Sequence, residues 1–280
     1  MSIQLNIAST TMRELQKKID NIANNIANVN TIGYKSNQTN FSDALVLSIE
    51  KQVGNKNEVG RLTPYGLRIG MGTKASQTSI NTTQGSFQQT GRELDFAIQG
   101  NNSYFRVSSE GKIYYTRDGS FQVQPVLNSN QVALVTSNGD YVLDMNNEPI
   151  VFDNDFKQIY LNPNGTLQIT YNNPNKETTN FQLSLALVDR PNLLERMGSN
   201  KFSLNTTETE AVQSGILEIV SLNERNDGSL AIQQGMLEMS NVDLTEEMTE
   251  LISTQRLLQS QSRALTIADD MLGLTNSMRS

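Results

Sequence analysis

Cysteine, histidine and tryptophan are all absent from the 280 residues, and each absence closes off a class of chemistry. Without thiolates or imidazoles there is no disulfide, no Cys nucleophile, no Ser-His-Asp triad and no zinc site of the Cys/His kind. A chain free of cysteine suits a reducing cytosol. It equally suits passage in an unfolded state through a narrow channel, where disulfides would obstruct it. Aromatics are only 6% and hydrophobic residues 36%, little for a single globule of this length, so part of the chain is expected to lie outside one core. Positive charge is in deficit: 22 Lys and Arg against 29 Asp and Glu give a formal net charge of -7, with no basic stripe to attract nucleic acid or anionic lipid. No apolar run approaches the ~18–20 residues of a membrane span. The first dozen residues lack the basic and continuous apolar regions of a secretory signal.

What is present is strongly patterned at both ends. Met12, Leu15, Ile19, Ile22, Ile26 and Val29 recur at spacings of three and four, the a/d seam of a helix expected over about residues 8–29. Asn30, Ile32 and Gly33 follow, where Asn and Gly tolerate the left-handed backbone that ends helices. At the other end Asp243 and Glu246 form a helix start signal, a variant of the capping box. From there Leu244, Met248, Leu251, Leu258, Leu265 and Leu272 share one heptad frame, whose alternate places hold Gln255, Ser262 and Asp269. Six buried aliphatic side chains do not repay the entropy of ordering twenty residues alone, so the first helix needs a partner. The two helices are expected to pair as a coiled coil.

Between them the period changes to two. Residues 104–107, 113–115, 121–123, 132–135, 141–143, 158–161, 167–171 and 181–188 read as strands. Glu110-Gly111, Asp118-Gly119, Asn138-Gly139 and Asn164-Gly165 divide them with the positive φ angles that hairpins need. The fold class is α+β: an irregular, hairpin-rich all-β centre between terminal helices. The expected division is a helical segment 1–35, an extended connector 36–84 with a short strand or two, a β domain 85–235 and a helical segment 236–280.

Candidate chemistry is thin. Asp95, Asp118, Asp140 and Asp153 stand beside turn residues, where Asp serves local hydrogen bonds. Gly70-Met71-Gly72 lacks the third glycine of a dinucleotide fingerprint and the Lys-Ser/Thr of a P-loop. Asp153-Asn154-Asp155 lacks the Gly and Glu that a calcium loop requires. No catalytic residue, cofactor or metal site is assigned. The polar feature that stands out is Asn24, Asn25 and Asn28 within the first helix, residues that disfavour helix interiors and are suited to fixing packing register.

The segment Ile22-Ala-Asn-Asn-Ile-Ala-Asn-Val-Asn-Thr-Ile-Gly-Tyr-Lys35 resembles the N-terminal signature of the flagellar rod and hook family. Residues 84–100, 104–107, 115–121, 235–244 and 246–256 resemble further segments of that family, so the likeness spans nearly the whole chain. Leu62-Thr-Pro-Tyr-Gly-Leu-Arg-Ile-Gly-Met-Gly72 is similar to a connector segment of distal rod proteins. Ser9 to Met12 departs from the family in lacking a glycine, and Leu257-Leu258 in lacking an aromatic. The resemblance implies a structural, non-enzymatic subunit of the bacterial flagellar basal body that self-assembles into a helical tube and transmits torque. It implies export unfolded through the flagellar export apparatus without a cleaved signal, and partnership with itself and with other rod and hook subunits, not with nucleic acid or by insertion into the membrane. A proximal rod or hook-type subunit is the neighbouring reading. A secreted adhesin with a β domain on a helical stalk explains the patterning but not the paired terminal signatures.

Overall fold

The computed structural model describes residues 2–43, 46–49, 67–70, 73–127, 129–162, 164–222 and 230–277. They fall into two compact units, one of residues 1–26, 37–79 and 244–280, the other of residues 27–36 and 80–243. Among the described residues no helix is long and apolar enough to cross a membrane.

The first unit holds the terminal helices. Helix α1 spans Ser2–Ala27, starting earlier than the seam alone suggests because neither Gly nor Pro interrupts its first turns. It also stops two residues sooner than expected. The Asn28 carbonyl and side chain accept from the Thr31 N–H and hydroxyl, both at 3.1 Å, and this local turn leaves Val29 beyond the helix. The connector carries more strand than expected: Asn37–Asp43 pairs Thr73–Ile80, and Val46–Ile49 runs antiparallel to Leu67–Gly70. Of the distal-type segment 62–72, residues 62–66 and 71–72 lie outside the described residues.

The second unit is built from β-structure. Its ten-stranded sheet is centred on the hairpin Ser103–Ser109/Lys112–Thr116, flanked by Tyr141–Val142 and Leu185–Val188 on one side and by Lys201–Leu204 on the other. A three-stranded antiparallel sheet, Phe156–Leu161, Thr166–Tyr171 and Thr179–Gln182, packs into the same core. Seven of the eight stretches read as strands from period two are strand here, within a residue or two at their ends. The eighth, 181–188, is two strands, Thr179–Gln182 in the three-stranded sheet and Leu185–Val188 in the ten-stranded one, because the chain passes from one sheet to the other at Leu183 and Ser184. The centre also contains structure that the sequence reading missed: the hairpin Leu194–Gly198/Lys201–Leu204 and the short helix α2, Glu208–Gln213. Late in the chain, Ala231–Gln234 pairs Phe96–Gln99 and Met236–Glu238 pairs Phe87–Gln89, so the unit ends beside its own beginning.

Phe96, Phe105 and Phe121 form the aromatic centre of the larger core, the Phe121 ring lying 5.1 Å from Phe105 in an edge-on contact and 5.8 Å from Phe96 in a tilted one. Gly119 matters here for a reason other than turn geometry. Its φ is not positive, but a Cβ placed on it would lie 1.7 Å from the Phe96 carbonyl oxygen, so only glycine lets the two backbones meet.

Candidate assembly surface

Along α1 the expected stripe is the covered one. Leu15 and Ile22 are buried, and Met12, Ile19 and Ile26 are half-buried. Asn25 shares their face and is 1% exposed. Its side chain pairs with the backbone of Asn37 as a peptide would, Oδ1 accepting from the N–H and Nδ2 donating to the carbonyl, both at 3.0 Å. Nδ2 donates as well to Glu247 Oε1, at 2.8 Å. Asn21 donates to Thr39 Oγ1, while Asn24 faces outward. The amide cluster thus does work within the chain: Asn25 holds α1, the strand Asn37–Asp43 and the start of the C-terminal helix together.

That helix, α3, spans Leu244–Ser277, with Asp243 at its entry as the start signal requires. A second polar contact joins it to α1, Lys18 to Glu250 at 2.5 Å. Its covered face comprises Glu247, Leu251, Thr254, Leu258, Gln261, Leu265 and Ala268, a strict four-three repeat. Leu251, Leu258 and Leu265 belong to the expected row, but the companion row is Thr254, Gln261 and Ala268. The expected companions Gln255, Ser262 and Asp269 are exposed, as are Leu244 and Met248. Both rows fit a heptad, and both are largely polar, so sequence spacing did not choose between them.

Glu247 is the titratable group in this contact. Burial pushes its carboxyl above the usual range, the Asn25 hydrogen bond pulls it back, and the neighbouring charges of Glu250 and Glu246 raise it again. Its Oε2 is buried and has no hydrogen-bond partner among the described residues.

In the β unit, the buried polar centre is a triad of ions. Glu238 Oε1 accepts from Lys35 Nζ at 2.7 Å and from the Gly85 N–H at 2.9 Å, and Oε2 accepts from Arg117 Nε at 2.5 Å. All three side chains are 1–2% exposed. Arg117 also donates to the carbonyls of Ser103, Ile98 and Gly100 and to the Ser103 hydroxyl. Burial and the Arg117 charge lower Lys35 to about 8, against the opposing pull of Glu238. Burial likewise pushes the nearby Tyr104 hydroxyl up to about 12.

The four carboxylates considered for chemistry all have partners in the β unit, Asp95 and Asp118 in local turns as expected and Asp140 and Asp153 with lysines further along the chain. Asp118 accepts from the Ser120 N–H and hydroxyl, Asp95 from the Thr90 hydroxyl, Asp140 from Lys201, and Asp153 pairs with Lys176.

Three family models match this chain: "Flagella basal body rod protein" over residues 5–35, "Flagellar hook protein FlgE/F/G D1 domain" over 97–169 and "Flagellar basal body rod FlgEFG protein C-terminal" over 233–278. The chain is 42% identical over 276 residues to the flagellar hook-basal body complex protein FlhP of Bacillus subtilis (strain 168), covering 97% of each. It is 34% identical over 274 residues, again 97% of each, to the flagellar basal-body rod protein FlgG of Borreliella burgdorferi. With FlgG of Caulobacter vibrioides it shares 31% over 277 residues, 99% of each. The chain belongs to the flagellar rod and hook family. That membership makes it a structural subunit of the rod, and not an enzyme.

For a rod subunit the ion triad carries a lesson about the family segments. Lys35 closes the N-terminal signature, Arg117 lies in Tyr115–Phe121, Gly85 in 84–100 and Glu238 in 235–244, so four stretches that identify the family meet at one point. The signature glycine serves the same point. Gly33 has φ +67, donates to the Glu238 carbonyl at 2.8 Å, and would place a Cβ 2.6 Å from the Arg117 backbone. Sequence reasoning quoted these residues but gave them no role. A charged side chain in a short family stretch carries no periodicity, so spacing rules do not read it.

Proposed function

We propose that the subunit assembles through α1 and α3, which pair as a coiled coil and pack against the helices of neighbouring copies to build the helical tube that carries torque to the hook. The observation that supports this is the surface of α3. Leu244, Met248, Ile252, Leu257, Ile267, Met271 and Leu274 are between 44% and 65% exposed. Leu257, Ala264, Ile267, Met271 and Leu274 recur at heptad spacings, about a third of a turn around the helix from the face that holds Leu251 and Leu258. One helix with two such faces meets more than one neighbour. Contacts of this head-to-tail kind do not close on themselves and therefore make filaments.

The resemblance of residues 62–72 supports a distal position in the rod. The absence of cysteine supports export in an unfolded state through the flagellar export apparatus, with other rod and hook subunits as the neighbours met after export.

The test separates the two faces. Leu257→Asp and Met271→Asp alter side chains that are exposed in the single chain, so secretion and β-unit melting stay normal while rod incorporation and motility are lost. A carboxylate buried unpaired in the assembled contact costs about 3–5 kcal/mol. Ile22→Asp and Leu251→Asp act on the covered faces and also weaken the contact within the chain. Normal incorporation of Leu257→Asp and Met271→Asp would refute the second face as an assembly surface.

A further inference from the structure

Two cations and one anion sit together in the β unit, and the chain brings them from far apart: Lys35 lies 203 positions from Glu238, and Arg117 lies 121 positions from it. Glu238 is the carboxylate hydrogen-bonded to both, and the triad retains one positive charge in excess. The three sit where the ends of the unit are fastened. The Gly33 N–H bonds the Glu238 carbonyl, the Ser36 N–H bonds Asn241 Oδ1 at 2.7 Å, and the Lys35 ammonium bonds the Thr83 carbonyl at 2.8 Å. The strap Met236–Glu238 on Phe87–Gln89 delivers the negative charge that makes this site tolerable for a lysine.

We propose that Glu238 is a charge-gated clasp: residues 27–36 dock on the β unit only when the strap Met236–Glu238 is in place to neutralise Lys35 and Arg117. Before Glu238 arrives, docking Lys35 would bury two like charges with no counter-ion. A chain that emerges from its N-terminus first therefore keeps this end open until nearly all of it is available. The clasp couples the two ends of the unit to each other rather than to the hydrophobic core, which is centred on Phe96, Phe105 and Phe121.

Charge compensation predicts a result that simple packing does not. In the full-length chain, Glu238→Gln keeps the shape and leaves Lys35 and Arg117 without a counter-ion. Amide hydrogen exchange at Gly33, Ser36 and Gly85 should then quicken together, by on the order of 10²–10³-fold, while Leu134, bonded to the Ile150 carbonyl in the core, keeps its protection. Adding Lys35→Met to Glu238→Gln removes one of the two cations, and should restore at least about tenfold of the lost protection. Lys35→Met alone leaves the neutral Arg117–Glu238 pair and should keep both ends protected. If Glu238→Gln fails to fold, recovery of the fold in Lys35→Met/Glu238→Gln supports the clasp, and a double variant that is also unfolded overturns it. The proposal is likewise overturned if the double variant exchanges faster than Glu238→Gln alone, or if the two ends lose protection independently.

Discussion

Asn25→Asp tests the helix junction more sharply than truncation does. The change is nearly isosteric and keeps the acceptor for the Asn37 N–H. It deletes the donor to the Asn37 carbonyl and to Glu247, and sets a second carboxylate where Nδ2 lay 2.8 Å from Glu247 Oε1. Leaving a buried carbonyl unsatisfied costs about 1–3 kcal/mol. Two carboxylates in hydrogen-bond range cannot both ionise at little cost, and the repulsion adds about 1–4 kcal/mol for a partly buried pair. The loss at pH 7 is then roughly 2–7 kcal/mol, larger than for Asn25→Ala, which forfeits hydrogen bonds without adding charge. The sign with pH follows from Glu247. Its carboxyl in the folded chain already stands above its ordinary value of 4.5, so between 4.5 and that raised value the folded state holds more protons than the unfolded, and stability rises as pH falls. A second carboxylate widens this window. Helix melting of the full chain, followed by circular dichroism at pH 7 and pH 4.5, should show the Asn25→Asp defect shrinking on acidification by more than that of Asn25→Ala, which loses only the hydrogen bond that holds Glu247 down. A defect equal to that of Asn25→Ala, or independent of pH, would refute the reasoning.

Other outcomes follow from the β unit. Between pH 8 and about 10 its urea midpoint should rise, because folded Lys35 loses its proton near 8 while unfolded lysine holds it to 10.5; the gain is at most about 3 kcal/mol, and Lys35→Met should abolish it. Above pH 10 the trend should reverse, since Tyr104 stays protonated in the folded state up to about 12 while unfolded tyrosine ionises near 10. Gly33→Ala combines a positive φ with a Cβ 2.6 Å from the Arg117 backbone, and should cost about 2–4 kcal/mol in thermal unfolding. Arg106 is fully buried, 2.6 Å from Glu208 and 2.7 Å from the Ser184 hydroxyl; Glu208→Gln strands it, and should lower β-unit stability by about 3–5 kcal/mol without altering the α3 surface.

The period of the apolar residues was enough to place α1, α3 and seven of the central strands, because helix and strand faces repeat at 3.6 and 2 and these segments have a wet and a dry side; it did not show that 181–188 crosses from one sheet to another. It also named Leu15 and Ile22 as covered and Asp243 as a helix entry. Turn chemistry was readable where it is local. Glu110-Gly111, Asn138-Gly139 and Asn164-Gly165 each place a positive φ at the glycine, whereas Asp118-Gly119 owes its glycine to Phe96, a contact no local rule contains. The choice of Thr254, Gln261 and Ala268 over Gln255, Ser262 and Asp269 rested on a rotation of one residue about α3, which tertiary contact sets and two polar rows do not. The strap and the triad lay furthest from view. Their partners are more than a hundred residues apart, and a buried ion reads in sequence like any surface charge until the fold has removed the water around it. Sequence alone determined the two long helices, most of the central strands and the family they mark; the long-range meeting of Lys35, Arg117 and Glu238 was decided only by the tertiary structure, because pairing across such distances is a property of topology and not of local pattern.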